Sequence, residues 1–356
     1  MAQILGLGTT HSPPLSLPES AAVAYVHQAL DAPNADPQYR DRANWPRGML
    51  EEMGSDEGTS ASQAHRARMI ENFRKQRKLL DEFKPDFVVI FGDDQYENFQ
   101  EDIIPPFCIY GLDDRFEAKP WKRKRYVENG NAWGEAEDWA FDLRGHRDGA
   151  KFLTTELIRR GVCMPYAYRT LHQELIAHAF LNTLLYLDHD RAGFPYPVVP
   201  FHVNCYGSEV LKTQGGHRAH LFRKLEQVGL PDPPGPSAAM CMDVGRLLAK
   251  ILLPSPYRVA LIASSSWSHA ALSSNTKRMI PDHESDRRML EAFRNGDYAM
   301  WRAQTTEQLN AAGQHEIFNW MLLAGAMEEL KRKPTIDDYL ETWLFQSDKV
   351  FASYRV

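Results

Sequence analysis

Short apolar runs of strand length recur along this chain of 356 residues and alternate with longer segments of helical periodicity. Four short, mostly apolar runs predict buried strands: Gln3 to Leu7, Phe87 to Phe91, Val198 to Val203 and Val259 to Ala263. Helices are predicted over residues 62–83, 148–160, 171–187, 217–228, 242–252 and 286–294, and after residue 316. Because strands and helices alternate without a clean break, we expect one α/β domain over residues 1–356, with a central, mostly buried mixed sheet flanked by helices.

Each predicted strand is followed by polar residues. His11 follows the first, Asp93-Asp94-Gln95 the second, Asn204 and Tyr206 the third, and His269 the fourth. Ligands of open α/β sheets collect outside the carboxyl ends of the strands, so these side chains are predicted to share a pocket. Histidine also exchanges a proton near neutral pH. The alternative for each position is an ordinary packed histidine or a solvated turn residue.

Two segments between the predicted elements are unusually long. Residues 30–62 are rich in Pro, Asp, Asn, Gly and Ser and predict a surface excursion. Residues 113–150 interleave Lys and Arg with Trp121, Tyr126, Trp133 and Trp139, which favours either a lid over a site or a solvated face. Both segments are expected to be loop insertions over the active site.

Composition excludes several classes of protein. The net charge of -6 argues against a nucleic-acid binder, because binding phosphates requires a basic surface. The four cysteines are scattered without CxxC spacing, which predicts a reducing, cytoplasmic location. The N-terminus lacks a signal-peptide pattern, and no run approaches the roughly 20 apolar residues of a membrane span. We therefore expect neither nucleic acid nor membrane as a partner.

Six motifs together resemble a known family. They are Thr9-Thr10-His11-Ser12-Pro13, the GDDQ turn after FVVIF, Ile176-Ala177-His178-Ala179, VVPFHVN, SSSWSHA and GQHEIFNW. In order and approximate spacing they are similar to class III extradiol ring-cleavage dioxygenases, of the type of the protocatechuate 4,5-dioxygenase β subunit, in a branch that carries GDDQ. The resemblance runs from the first strand to the helix after Glu316, nearly the whole chain.

The resemblance implies a non-haem Fe(II) held by two histidines and a carboxylate, a facial triad that leaves coordination positions open. His11 matches the first histidine ligand and Glu316 the carboxylate. His269 matches the acid/base histidine, and His178 matches a second active-site histidine that helps to hold or deprotonate a catechol. Substrate contacts are expected from three further residues in or beside these motifs: Asn204, Tyr206 and Trp267.

One position departs from the family pattern. Where the family has its second histidine ligand, this chain has Gln95, which offers a metal only a neutral carbonyl oxygen. Three arrangements stay open: Gln95 or Asp93 completes an altered iron site, His65 or His315 replaces the missing ligand, or the metal is absent. We expect Gln95 to be the third ligand.

The leading functional hypothesis is an Fe(II)-dependent dioxygenase that uses O2 to open the ring of a small catechol-like or aminophenol-like aromatic substrate. The basic insert suggests an aromatic acid. An O2-independent lyase or hydrolase in the same pocket is the alternative, and a non-catalytic binding protein is a third hypothesis, because fold alone does not fix function. A homodimer is the default assembly.

Overall fold

The computed structural model describes residues 3–31, 35–100, 102–207 and 233–355. Its centre is an eight-stranded mixed sheet, and two short strands form a separate small sheet. The strands are β1 (Ile4–Thr9), β2 (Phe87–Asp93), β3 (Phe107–Tyr110), β4 (Phe116–Ala118), β5 (Phe141–Leu143), β6 (Tyr166–Ala167), β7 (Val198–Val203), β8 (Val259–Ser264), β9 (Thr335–Leu340) and β10 (Lys349–Tyr354). In the large sheet their order is β6-β3-β7-β2-β8-β1-β10-β9.

Helices cover both faces of this sheet. They are α1 (Glu19–Val23), α2 (Tyr25–Asp31), α3 (Arg47–Met53), α4 (Thr59–Phe83), α5 (Lys124–Asn129), α6 (Arg147–Arg159), α7 (His178–Leu187), α8 (Ala238–Leu252), α9 (His283–Asn295), α10 (Tyr298–Arg302), α11 (Thr306–Ala311) and α12 (Ile317–Glu329). None of the helices in the described ranges combines the length and apolar character that a membrane span requires.

The four predicted strands lie side by side at the centre of the sheet. β7, β2, β8 and β1 are adjacent and parallel, so all four carboxyl ends meet at one edge. Every residue of these strands is buried, as expected for parallel strands covered by helices on both faces. The prediction of an α/β domain with a buried mixed sheet is confirmed.

Alternate strand residues face two hydrophobic clusters, because successive side chains of a strand point to opposite faces. Val89 and Leu261 join the cluster that contains α8 and α12, whereas Val88 and Ile262 join the one that contains α4 and α7. α8 and α12 approach closely because a glycine of each meets the other's backbone. A Cβ on Gly325 would lie 2.0 Å from the carbonyl oxygen of Met242.

Several local predictions need correction. The helix predicted from residue 171 begins only at His178, because Ala177 is extended and Leu171 is exposed. Residues 30–62 contain α3 and the start of α4. The helix predicted over residues 217–228 lies outside the described residues. The strands that the sequence did not predict are short or lie toward the ends of the sheet.

Candidate active site

His11 and Glu316 face each other at the carboxyl edge of the sheet. His11 follows β1, Glu316 precedes α12, and both side chains are buried. His11 Nε2 lies 3.4 Å from Glu316 Oε2. The other ring nitrogen, Nδ1, lies 3.0 Å from the carbonyl oxygen of Ser264, to which it donates a hydrogen bond. That bond fixes the tautomer in which Nε2 presents its lone pair toward Glu316.

Asp93, the last residue of β2, completes a compact group of donor atoms. Its Oδ1 lies 3.8 Å from His11 Nε2. His11, Asp93 and Glu316 each offer one possible metal-ligating atom, and these three atoms lie within 4.8 Å of one another. The side-chain NH2 of Asn319 donates to Asp93 Oδ1 at 3.1 Å. The Tyr206 hydroxyl lies 3.1 Å from Asp93 Oδ2.

Glu316 divides its two oxygens between different partners. Gln95 Nε2 donates to Oε1 at 3.1 Å, and the Tyr206 hydroxyl also contacts Oε1. Oε2 is buried and has no hydrogen-bond partner among the described residues. It lies 3.4 Å from His11 Nε2 and 3.4 Å from His269 Nε2. A buried carboxylate oxygen between two imidazole nitrogens is an arrangement that a metal ion would satisfy.

The pKa shifts of His11, Asp93 and Glu316 also support a metal site. Burial raises the pKa of Asp93 well above its ordinary range, and the nearby Glu316 carboxylate raises it further. Burial also raises the pKa of Glu316 to about 7 and lowers the pKa of His11 well below its usual value. Ionising both carboxyl groups therefore requires a compensating cation. Imidazole nitrogen with carboxylate oxygen is a donor set that fits a divalent transition metal.

His178 stands beside His11 and is held by a carboxylate. The two rings meet edge to face with centroids 5.1 Å apart. Glu97 Oε2 lies 2.7 Å from His178 Nδ1 and accepts the backbone N–H of His178 at 2.8 Å. Burial opposes a charge on His178, but the Glu97 carboxylate outweighs it and raises the pKa. The Arg123 guanidinium, with Nη2 3.2 Å from Glu97 Oε1, lies on the other side of this carboxylate. Glu97 is therefore placed between the His178 imidazole and a cation.

His269 is more exposed than His11, His178 and Glu316. Its side chain is 24% exposed, and Nε2 lies 3.4 Å from Glu316 Oε2. Nδ1 donates to the carbonyl oxygen of Trp267 at 2.9 Å. Enclosure of the ring lowers the pKa of His269 to about 4. The imidazole is therefore neutral at pH 7, with Nε2 able to accept a proton.

These groups open onto one cavity of about 280 Å³. Its wall combines histidines and other polar side chains with apolar ones. The lining residues are His11, Ser12, Pro13, Pro14, Gln95, His178, His269, Ala271, Leu272, Glu316, Phe345, Gln346 and Ser347. The ends of β1, β2 and β8 thus meet at a shared cavity, together with the first residue of α7 and the residue before α12.

The three residues expected to contact substrate have other surroundings. The Asn204 side-chain oxygen accepts the backbone N–H groups of Tyr206 and Gly207, which shapes the turn after β7. Tyr206 is fully buried against the two carboxylates. Trp267 is fully buried, with Trp320 among its neighbours. Within the described part of the chain none of the three predicted residues lines the cavity, because the turn and the hydrophobic core take up their side chains.

His65 and His315 are the two histidines that the sequence offers as replacements for the missing metal ligand. His65 Nε2 pairs with Glu52 Oε1 at 2.9 Å and does not belong to the metal-binding group. His315 stacks against Tyr206 with ring centroids 6.3 Å apart, and burial lowers its pKa to about 4. Among the described residues, neither histidine belongs to the group of donor atoms formed by His11, Asp93 and Glu316.

The aromatic residues of the 113–150 segment pack on one another instead of covering the cavity. Trp121 lies 5.6 Å from Trp133 between ring centroids, and the Arg191 guanidinium lies 3.9 Å from the centroid of Trp133. Trp121 and Tyr126 are buried in a hydrophobic cluster. What this segment does bring to the site is Arg123, through its ion pair with Glu97.

Sequence reasoning missed Glu97, Arg123 and the loop residues 345–347. The sequence does place Glu97 within four residues of Asp93 and Asp94, and three carboxylates so close together are costly to bury without a cationic or hydrogen-bonding partner. Arg123 was one basic residue within a cluster, and residues 345–347 carried no motif. Tertiary folding places residues 345–347 in the cavity wall, and it places Glu97 and Arg123 behind His178.

No protein-family model matches the chain. Curated relatives include three proteins named 2,3-dihydroxyphenylpropionate/2,3-dihydroxicinnamic acid 1,2-dioxygenase. The one from Burkholderia vietnamiensis is 27% identical over 274 residues, covering 71% of this chain and 79% of the relative. The one from Paraburkholderia phymatum is 28% identical over 275 residues, with the same coverages. The one from Rhodococcus globerulus is 22% identical over 276 residues, covering 72% of this chain and 80% of the relative.

Among solved structures, an uncharacterized protein from Escherichia coli K12 aligns with a TM-score of 0.43 at 12% identity, covering 80% of this chain and 91% of the other. That score is too low to establish a common fold. The curated relatives, in contrast, confirm the predicted resemblance to extradiol ring-cleavage dioxygenases. They confirm equally the prediction of an oxidoreductase enzyme of that type.

Proposed function

We propose that this chain is a non-haem Fe(II)-dependent dioxygenase that uses O2 to open the ring of a catechol-like or aminophenol-like compound. The observation that carries the proposal is the buried Oε2 of Glu316, which finds no hydrogen-bond partner in the described part of the chain. It lies between the imidazoles of His11 and His269 at the cavity wall. The names of the relatives support a dihydroxyphenyl compound as the substrate class.

His11 and Glu316 would hold the metal, with a third ligand from the turn after β2, where the sequence predicts Gln95. Fe(II) bound there would supply open coordination positions for the two ring oxygens and O2, and a redox centre. The protein's own contribution is then to bind the ring, orient it and move protons. The cavity of about 280 Å³ suits one aromatic ring with a short substituent.

His269 is the proposed general base. A phenol must lose its proton as it binds a metal, and a neutral imidazole accepts that proton at pH 7. The Nδ1 bond to the Trp267 carbonyl oxygen fixes the tautomer in which Nε2 is the acceptor. Because the Nε2 atom lies 3.4 Å from Glu316 Oε2, the base would stand directly beside the proposed metal position.

His178 is the proposed second proton carrier. Glu97 holds its Nδ1 and favours the charged imidazolium, whereas burial keeps His269 neutral. Two histidines with opposite pKa shifts can serve as acid and base in one cycle. We propose that His178 supplies positive charge or a proton to the ring oxygen on its side of the cavity.

The first test is metal content. Protein purified without chelator is analysed for metal as wild type, His11→Ala and Glu316→Ala, with His65→Ala as a control histidine outside the group. Near-stoichiometric iron that both ligand variants lose and the control keeps supports the proposal, as does O2 uptake with a catechol panel. Wild-type protein that takes up no metal anaerobically and cleaves no catechol contradicts it.

An O2-independent lyase or hydrolase is the second candidate. It is favoured by the pairing of two buried carboxyl groups, Asp93 and Glu316, around the Tyr206 hydroxyl. Through Glu316, the member that lines the cavity, this group can exchange protons with a substrate without a redox centre. An oxygen electrode separates the two candidates, since only the dioxygenase consumes O2 in proportion to product.

We further propose a cytoplasmic location and a homodimer. The four cysteines are free thiols, of which three are buried, and this supports a reducing compartment. Size-exclusion chromatography with light scattering tests the dimer.

A further inference from the structure

We propose that Asp93, and not Gln95, supplies the third metal ligand, so that the centre consists of one histidine and two carboxylates. The inference rests on the proposed function only in requiring a divalent metal at this site. It accounts for the one position at which the chain departs from the pattern of two histidines and one carboxylate.

The first argument is proximity. Oxygen atoms of Asp93 and Glu316 and Nε2 of His11 lie within 4.8 Å of one another. Nε2 of His11 is 3.8 Å from Asp93 Oδ1 and 3.4 Å from Glu316 Oε2. Ligands about 2.1 Å from a shared ion stand about 3 to 4 Å apart. The three atoms therefore need only small adjustments to share one ion.

The second argument is the engagement of Gln95. Its Nε2 donates to Glu316 Oε1 at 3.1 Å and lies 2.5 Å from the Tyr206 hydroxyl oxygen. An ionised carboxylate oxygen only accepts hydrogen bonds, so the amide must turn its NH2 group toward Glu316. Turning its carbonyl oxygen there instead would break this bond. Gln95 thus acts as a positioning residue that holds Glu316 Oε1 and leaves Oε2 for the metal.

The third argument is the support behind Asp93. Its carboxylate is fully buried, and Asn319 donates to Oδ1 at 3.1 Å. Asn319 belongs to the first turn of α12, so the helix that follows Glu316 directly also orients Asp93. Hydrogen bonds of this kind normally fix ligating carboxylates.

The fourth argument is charge. Among the described residues, the ion-pair partners of Asp93 and Glu316 are histidines alone: His11 for both, and His269 for Glu316. Because two buried carboxylates require a cation of matching charge, a divalent metal is the expected counter-ion. Replacing an imidazole by a carboxylate also makes the donor set harder, which favours Mn(II) beside Fe(II).

The test compares three substitutions on one turn. Asp93→Asn, Gln95→Met and the control Asp94→Asn are titrated anaerobically with Fe(II) and with Mn(II), and bound metal is measured by elemental analysis. Asp94 is a suitable control because its carboxylate accepts backbone N–H groups of Glu97 and Asn98 within the turn. Circular dichroism and thermal unfolding check that each variant is folded.

We expect Asp93→Asn to weaken metal binding at least about 100-fold and Asp94→Asn to bind metal as wild type does. Gln95→Met should weaken binding only about tenfold, because it releases Glu316 Oε1 but removes no ligand. Undiminished binding by Asp93→Asn, or an equal loss in Gln95→Met, would overturn the assignment. Wild-type protein that binds no metal overturns the proposed function itself, which keeps the two failures distinguishable.

A second experiment replaces the proposed ligand by cysteine. Its readout is a new absorption band, so it does not rely on a loss of metal affinity. Asp93→Cys and Gln95→Cys are loaded with Co(II), and their near-ultraviolet spectra are compared with wild type. A thiolate ligand produces a charge-transfer band, because soft sulfur donates charge to the metal. The band is expected in Asp93→Cys only, and its appearance only in Gln95→Cys would contradict the inference.

Discussion

Glu97 Oε2 lies 2.7 Å from Nδ1 of His178 and also accepts the backbone N–H of the same residue. One carboxylate thus holds both the imidazole ring and the first turn of α7, where the helix dipole favours negative charge. Through Arg123 it also connects the site to the 113–150 segment. The orientation of His178 therefore depends on residues that do not line the cavity.

Replacing this carboxylate tests its role as a positioning group. Glu97→Gln should lower kcat by about 10- to 100-fold while metal content stays unchanged, because the ring loses its charged partner and the pKa of His178 falls. The limb of the pH–rate profile that reports His178 should move to lower pH. Glu135→Gln, which removes a partner of Arg191 in the same segment, is the matched control. Unchanged kcat and pH profile in Glu97→Gln would rule out this role.

His269→Gln tests the proposed base. We expect kcat for ring cleavage to fall by about 10²- to 10⁴-fold, because the side chain no longer accepts the phenolic proton. Bound metal should remain, since His269 is not among the proposed ligands. His172→Gln, at a partly exposed histidine that pairs with Asp102, should behave as wild type. Full activity in His269→Gln measured by O2 uptake would exclude it as the base.

A glycine contact holds the backbone of His269. Gly313 has φ +71°, and a Cβ there would lie 2.5 Å from the carbonyl oxygen of His269. Gly161 has φ +85° with nothing within 4 Å of such a Cβ. Gly161→Ala should cost about 1 kcal/mol in free energy of unfolding, from backbone strain alone. Gly313→Ala should cost more than about 2 kcal/mol and lower kcat, since the clash adds to the strain. Equal losses in urea unfolding would show that the contact is unimportant.

The stability of metal-free protein should depend on pH through Glu316. Its folded pKa of about 7 lies above the ordinary value of 4.5, so the folded state binds the proton more tightly than the unfolded state. The resulting stabilisation is complete below pH 4.5 and is lost as pH rises through 7. The expected loss between pH 6 and 8 is on the order of 1 kcal/mol.

The difference between wild type and Glu316→Gln measures the contribution of Glu316 together with its effect on Asp93, whose pKa the Glu316 carboxylate raises. Burial lowers the pKa of Lys349 to about 7, which contributes a slope of opposite sign to both proteins and cancels in the difference. Urea unfolding from pH 6 to 8, with and without metal, measures it. A difference that does not change with pH in the metal-free proteins would contradict the raised pKa.

The sequence determined the α/β class, the four central strands and the polar residues at their ends. Those features depend on local patterning and on the rule that parallel strands present their carboxyl ends at one edge. The motif order also identified His11, His178, His269 and Glu316, all of which line one cavity. His11 and His269 follow strand ends closely, so sequence position nearly fixes their location. His178 and Glu316 lie at the starts of helices and were identified by the resemblance alone.

Only the tertiary structure decided the partners of those residues. SSSWSHA gave no sign that Trp267 packs into the hydrophobic core while His269 lines the cavity. The GDDQ turn likewise did not show that Asp93 lies in the group with His11 and Glu316 while Gln95 bonds to Glu316 Oε1. The direction of a side chain and its partners depend on elements distant in sequence, whose packing no local pattern encodes.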